Sequence, residues 1–259
     1  MAHKRFERRF VAFVDVLGFR GIVNRMDADA QLFVTIRDAL KELQKQSRAF
    51  RDYQQTLRGK RRRVTKKGAV PLFNTKSRFE MTAFSDCYVL SEVFPAWHVL
   101  AAVQALASRF LQRGILTRGG VAVGDAYHRH DVLFGKAIVE AYELEREVAK
   151  YPRIVVSDEV RQTVWGYHEG LCQGRLLQKD ADGCWYVNVL VPPLSNWSAL
   201  TAARSEHDIN AHLERVRTSL SGLIDNAAGH PAYLSKVGWL AHKFNEAAAV
   251  AGVDHVPSA

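Results

Sequence analysis

Apolar residues in this chain follow two periods, one suited to strands and one to helices, and their alternation outlines the elements. Phe10, Val11, Ala12, Phe13 and Val14 form an unbroken run of aromatic and β-branched side chains, which predicts a strand covered on both faces. Residues 21–26 predict a short helix. Asp27 or Asp29 is placed to cap a longer one, in which Leu32, Phe33, Ile36, Leu40 and Leu43 recur at helical spacing toward Tyr53. Phe79, Met81 and Ala83, then Tyr88 and Leu90, read as two short strands around a tight turn at Ser85 and Asp86. Pro95 opens a helix with the buried stripe Val99, Val103, Leu106, Phe110 and Leu111, and Gly114 ends it. Residues 116–124 and 132–134 predict two strands joined by a polar turn over 126–131. A helix over 136–150, a strand at 153–157, a further short helix and a last strand pair (174–179 and 185–191) follow. Pro192 and Pro193 mark a boundary: residues 1–193 form one domain, and 194–259 a C-terminal helical extension. Its two amphipathic helices, over 199–227 and 232–251, are read as packing elements without visible chemistry.

Composition narrows the partners. A chain of 259 residues can bury a sizeable core, and its net charge of +9 suits a polyanion, either a nucleoside triphosphate or nucleic acid. The dense basic run at 58–68, RGKRRRVTKKG, lacks interleaved aromatics and reads as a solvated loop, so nucleic acid is not the expected partner. Cys87, Cys172 and Cys184 are odd in number and have no ligand-like spacing, which predicts a reduced, cytoplasmic protein. The charged N-terminus is unlike a signal sequence and no apolar run is long enough for a bilayer, so no membrane is expected.

The chemistry is concentrated at the end of the first strand. Asp15 has apolar residues on both sides; it reads either as the cap of the following helix or as a cation ligand, since a carboxylate there loses several kcal/mol of hydration unless something cationic compensates it. Gly18 follows, where a backbone can approach a ligand closely. A second carboxylate, Asp86, sits in the predicted hairpin turn among apolar neighbours. His128, His130 and Asp131 fall at a predicted loop tip, where a His-x-His pair carries little metal signal. Gly119 and Gly120, beside Arg118, predict close approach by another backbone or a ligand.

Two motifs carry a resemblance: FVDVLGF at 13–19 and FSDCYV at 84–89. With strand, helix, hairpin, helix and strand in this order, the chain resembles the catalytic domain of class III nucleotide cyclases over roughly Phe10 to Val191. The resemblance implies an α+β fold: a ferredoxin-like domain with a mixed, largely antiparallel sheet, flanking helices and the C-terminal helices added. It also implies two divalent ions, Mn²⁺ or Mg²⁺, bridged by Asp15 and Asp86 and completed by the Val16 carbonyl. One ion would activate the ribose 3′-hydroxyl and the other would gather the triphosphate. Backbone N–H groups of Leu17, Gly18 and Phe19 would hold phosphate oxygens. The site would lie between the subunits of a homodimer.

Departures from that family matter as much. Its transition-state Asn and Arg fall on Val139 and Glu143, and its adenine-reading Lys and Asp on Thr82 and Val132. The segments RGGVAVGD at 118–125, FGKAIVEAYELE at 134–145 and YPRIVVS at 151–157 resemble the bacterial pyrimidine nucleotide cyclases of Pycsar antiphage defence. That resemblance implies a cyclic UMP or cyclic CMP product read by a separate cyclic-nucleotide-responsive effector protein. Arg118 is the remaining cation for phosphate or base, the alternative being an ion pair within the sheet, and Tyr53, otherwise a packing residue, is the aromatic that would close a pyrimidine-sized pocket. Arginine only donates hydrogen bonds, which favours the two carbonyls of uracil and hence UTP over CTP. The rival readings are a purine cyclase, a nucleotide-binding domain without turnover, and a basic nucleic-acid module.

Overall fold

The unbroken apolar run near the N-terminus becomes a central strand because both of its faces are covered. In the computed structural model, which describes residues 6–34, 36–38, 41, 45, 79–93, 98–164, 176–193, 206–227 and 229–257, this is β1 (Glu7–Val16). It is followed by α1 (Phe19–Met26), β2 (Phe79–Phe84), β3 (Cys87–Val93), α2 (His98–Leu111), β4 (Thr117–Arg129) and β5 (Val132–Gly135). Next come α3 (Lys136–Glu143), which continues into a π-helical turn (Leu144–Val148), then β6 (Ile154–Val156), β7 (Leu177–Lys179) and β8 (Trp185–Val187). The chain ends in α4 (Glu206–Ala227) and α5 (Pro231–Ala251). Residues 30–34, 36–38 and 158–164 are also helical.

The sheet has the order β2-β3-β1-β4-β6-β8-β7, with β5 paired to β4. Neighbours are antiparallel except β4 and β6. The first four strands stand in the ferredoxin-like arrangement, so the expected α+β class and largely antiparallel sheet are what the chain adopts. On one face Phe10, Ala12, Val14 and Val16 pack with Val99, Val103, Leu106 and Phe110 of α2. On the other Val11 and Phe13 meet Ala137 and Ala141 of α3. Each fully buried large apolar side chain contributes about 1.5–3 kcal/mol, so the α2 stripe alone holds that face closed.

Several local expectations are settled or corrected. Of the two expected caps, Asp29 is the one used, its Oδ1 accepting the N–H groups of Gln31 (3.0 Å) and Leu32 (3.1 Å), as foreseen. Ile36 is buried there, whereas Phe33 faces water. Leu40, Leu43, Tyr53 and the basic run 58–68 lie outside the described residues. The polar turn expected over 126–131 shrinks to His130 and Asp131, because residues 126–129 continue β4 and pair with β5. Ala126 and His128 point into the core, and His130 makes the reversal with φ 53°. β8 ends at Val187 rather than Val191.

The C-terminal helices are a layer of the same body. Leu213, Val216, Leu220, Leu240 and Phe244 share an apolar cluster with Leu17, Leu111, Leu116 and Leu190. Ser219 Oγ donates to the Leu111 carbonyl at 2.6 Å. The Trp239 ring stacks on Tyr151 with centroids 5.4 Å apart, and its Nε1 donates to Asp180 at 3.0 Å. Asp180 also receives the buried Arg153 guanidinium, which pairs with Asp182 as well. Among the described residues no helix is long and apolar enough to cross a membrane.

Candidate metal and nucleotide site

Register brings the chemistry together. Asp15, at the end of β1, stands directly opposite Cys87 of β3 on one side and Arg118 of β4 on the other. Cross-strand partners share a face, so these three side chains lie abreast. Asp86 occupies the two-residue turn between β2 and β3, where Ser85 takes φ 54°. The Asp86 carbonyl accepts the Val16 N–H at 3.0 Å, which ties the turn to the strand end. The carboxylate oxygens of Asp15 and Asp86 and the Cys87 sulfur consequently lie within 4.8 Å of one another. The turn at 17–18 follows at once, and Gly18 has φ 72°, a conformation that costs an ordinary residue about 1–2 kcal/mol.

The electrostatics decide which cation suits this cluster. Burial raises the Asp15 carboxyl above its ordinary range; Arg118 pulls it back and Asp86 pushes it further up. Burial, then the charges of Asp86 and Asp15, push the Cys87 thiol up to about 12. At neutral pH it is therefore a neutral S–H group, directed at Asp15 Oδ1 (3.9 Å) and Asp86 Oδ1 (3.7 Å). Two carboxylates beside an unionised thiol form an oxygen donor set, which fits Mg²⁺ or Mn²⁺ rather than a thiolate-seeking ion.

Among the described residues, Arg118 is paired with Asp15. Its Nε is 3.2 Å from Asp15 Oδ2 and 2.5 Å from Glu145 Oε1. Arg118 thus takes the ion-pair role open to a strand arginine: its Nε–H donates to Asp15 and its charge lies against Glu145, whose Oε1 receives no hydrogen bond, and Glu145 is a residue that sequence reasoning missed. Its signal was the row Ala137, Ala141, Glu145 and Ala149, spaced four apart on a buried face where a carboxylate is out of place. Gly119 and Gly120 admit backbone, as expected. A Cβ at Gly119 would lie 2.4 Å from the Phe13 carbonyl oxygen, and one at Gly120 would lie 2.2 Å from that of Ala141.

Other expected members are placed differently. The Leu17 N–H donates to the Leu116 carbonyl at 2.8 Å and its side chain is buried against the C-terminal helices, so Leu17 is not a phosphate donor in this arrangement. Gly18 caps α1, whose first residue is Phe19. Val132, Val139 and Glu143 are exposed. His128 is not at a loop tip: it is fully buried, with Nδ1 2.8 Å from Ser91 Oγ and Nε2 2.9 Å from Thr82 Oγ1. Thr82 Oγ1 also donates to the His130 carbonyl at 2.9 Å, so this hydroxyl fastens β2 to the β4–β5 turn.

No family model matches the chain, and no curated protein matches it. Among solved structures it is similar to the crystal structure of the adenylyl cyclase CyaB from P. aeruginosa, at 14% identity and a TM-score of 0.43, over 73% of this chain and 98% of that one.

Proposed function

We propose that this protein is a nucleotide cyclase acting on a pyrimidine nucleoside triphosphate, UTP in preference to CTP. The observation that carries the reading is the pair Asp15 and Asp86, brought within 4.8 Å at a strand end and a hairpin turn whose sequences resemble those of class III cyclases. In the reaction the ribose 3′-hydroxyl gives up its proton to solvent as its oxygen bonds to the α-phosphorus, the α–β phosphoanhydride breaks, and pyrophosphate and the cyclic nucleotide are released. Divalent ions held by Asp15, Asp86 and the Val16 carbonyl would supply Lewis-acid polarisation of both reacting ends. Gly18 and Phe19, at the start of α1, present backbone to the phosphates.

The base reading rests on what is absent from two positions. Thr82 is already bonded to His128 and His130, and Val132 is apolar, so neither supplies the charged pair that reads adenine. Arg118 has guanidinium donors beyond the Nε–H that Asp15 takes, and uracil offers two carbonyl acceptors. A homodimer is part of the proposal. Phe84, Val132, Phe134, Val139 and Tyr142 leave large apolar side chains in water at the β2–β3 turn, on β5 and on α3, which a second copy would cover. The product would act as a second messenger on a separate effector in antiviral defence.

The test is incubation of the pure protein with each of the four ribonucleoside triphosphates and Mn²⁺ or Mg²⁺, with products identified by mass. Cyclic UMP is expected, with cyclic CMP as a minor product, and Asp15→Asn or Asp86→Asn should abolish both while the fold survives. Binding without turnover would favour instead a nucleotide-sensing domain, to which the exposed Val139 and Glu143 point because neither is the Asn or Arg of a cyclase. Preferential purine cyclisation, or full activity in either Asn variant, would overturn the proposal.

A further inference from the structure

Gly120 lies beneath the end of α3. A Cβ there would sit 2.2 Å from the Ala141 carbonyl oxygen, 2.5 Å from Leu144 Cβ and 3.0 Å from the Glu145 N, so its absence lets helix and sheet meet backbone to backbone. The buried row Ala137, Ala141, Glu145 and Ala149 advances by four residues at each step. In a plain α-helix such a row drifts by roughly 40° per step. The α-helix passes into a π-helical turn over Leu144–Val148, and Glu145, the second residue of that turn, is buried. Its side chain is 5% exposed, and what it meets is Arg118. One guanidinium nitrogen therefore stands between Glu145 and Asp15, and Asp15 is a carboxylate that the proposed cations need.

We propose that Arg118 is the internal counter-ion of Asp15 in the cation-free protein, and that Glu145 is a positioning residue that draws Arg118 off Asp15 when a divalent ion takes its place. Glu145 touches no reacting atom and acts only through Arg118. The inference rests on the reading of Asp15 and Asp86 as cation ligands, and its test needs no turnover.

Mn²⁺ affinity is measured by electron paramagnetic resonance of the free ion, without nucleotide, on the full chain. Removing the competitor with Arg118→Met should tighten binding, and removing its second anchor with Glu145→Gln should weaken it, each by roughly ten-fold, as expected of directly coupled side chains. Simple through-space attraction predicts the same signs, so the double variant decides. If Glu145 acts through Arg118, Arg118→Met/Glu145→Gln binds Mn²⁺ as tightly as Arg118→Met, well above wild type. It also leaves no carboxylate at position 145 without its guanidinium, so it is the variant compared directly with wild type where Arg118→Met fails to fold. A double variant that binds like wild type shows two independent, cancelling charges and overturns the inference while leaving the site intact. If wild type binds no Mn²⁺, or Asp86→Asn binds it equally well, the cation site falls and the inference with it.

Discussion

Acidification should unfold this protein partly through one histidine. His128 is completely buried on the face shared with α3, and both ring nitrogens meet hydroxyls, Ser91 Oγ on β3 and Thr82 Oγ1 on β2. Arg9 of β1 also donates to Ser91 Oγ at 2.9 Å, which leaves the serine proton directed at Nδ1. Thr82 gives its own proton to the His130 carbonyl and therefore accepts from Nε2–H. A second ring proton on Nδ1 would have to turn the Ser91 hydroxyl proton away from the ring, and Arg9 is a like charge. Burial first, then Arg9, depress the His128 pKa from 6.5 to about 4.

A depressed folded-state pKa means that the unfolded chain takes up the proton first as pH falls. Stability is intact above pH 6.5, declines as pH drops toward 4, and has lost its full share below that. At about 1.4 kcal/mol per unit, that share is about 3 kcal/mol at most. The assay is denaturant unfolding at several pH values between 7.5 and 4.5 for wild type and His128→Gln, which keeps a donor and an acceptor but cannot titrate. The absolute stability of the variant is immaterial, because only the slopes are compared. Wild type should lose about 2–3 kcal/mol more than the variant across this range. Parallel curves would refute the reasoning, showing that the buried network admits the second proton without penalty.

Two further outcomes follow from packing. Gly120→Ala should destabilise by about 1–3 kcal/mol or more, since its methyl group meets backbone that cannot rotate away; an unchanged melting temperature would contradict the close approach. Sedimentation at micromolar concentration should show a dimer, and Phe84→Asp, which charges a side chain that is 81% exposed, should shift it toward monomer without loss of stability.

The sequence revealed the elements whose pattern is governed by one period, and obscured those set by contacts between distant segments. The α2 stripe was legible because Val99, Val103, Leu106 and Phe110 face a single surface. The nearness of the two aspartates was legible as well: Asp15 alone read equally as a helix cap, and the second carboxylate in the next hairpin turn pointed to the pair that the sheet brings together. The length of β4 was not. Tyr127, His128 and Arg129 are polar by type and read as loop, yet His128 is buried because Ser91 and Thr82, 37 and 46 residues away, supply its partners. Glu145 was hidden for a related reason: its burial depends on the missing Cβ of Gly120 and on Arg118, neither of them its neighbour in sequence. The Leu17 N–H, expected at a phosphate, is taken by the Leu116 carbonyl, a pairing fixed only once β1 lies against β4.

That same pairing links the C-terminal helices to the site and gives the division at Pro193 a testable consequence. Leu17 follows Asp15 by two residues, and with Leu111, Leu116 and Leu190 it is buried against α4 and α5. Removing residues 194–259 would return these four leucines to water, which at about 1.5–3 kcal/mol each forfeits roughly 6–12 kcal/mol. A whole domain is stable by only about 5–15 kcal/mol, so the loss is of the same size as the total. It would also break the Trp239 and Lys243 contacts to Asp180, beside the buried Arg153. Residues 1–193 expressed alone should therefore fail to unfold cooperatively and should not hold Mn²⁺, even though every proposed cation ligand is present. Circular dichroism during thermal unfolding and Mn²⁺ titration of the truncated chain would check this. A sharp transition with wild-type Mn²⁺ affinity would show that the leucines find cover within the first 193 residues, and that the two helices are an appendage rather than part of the core.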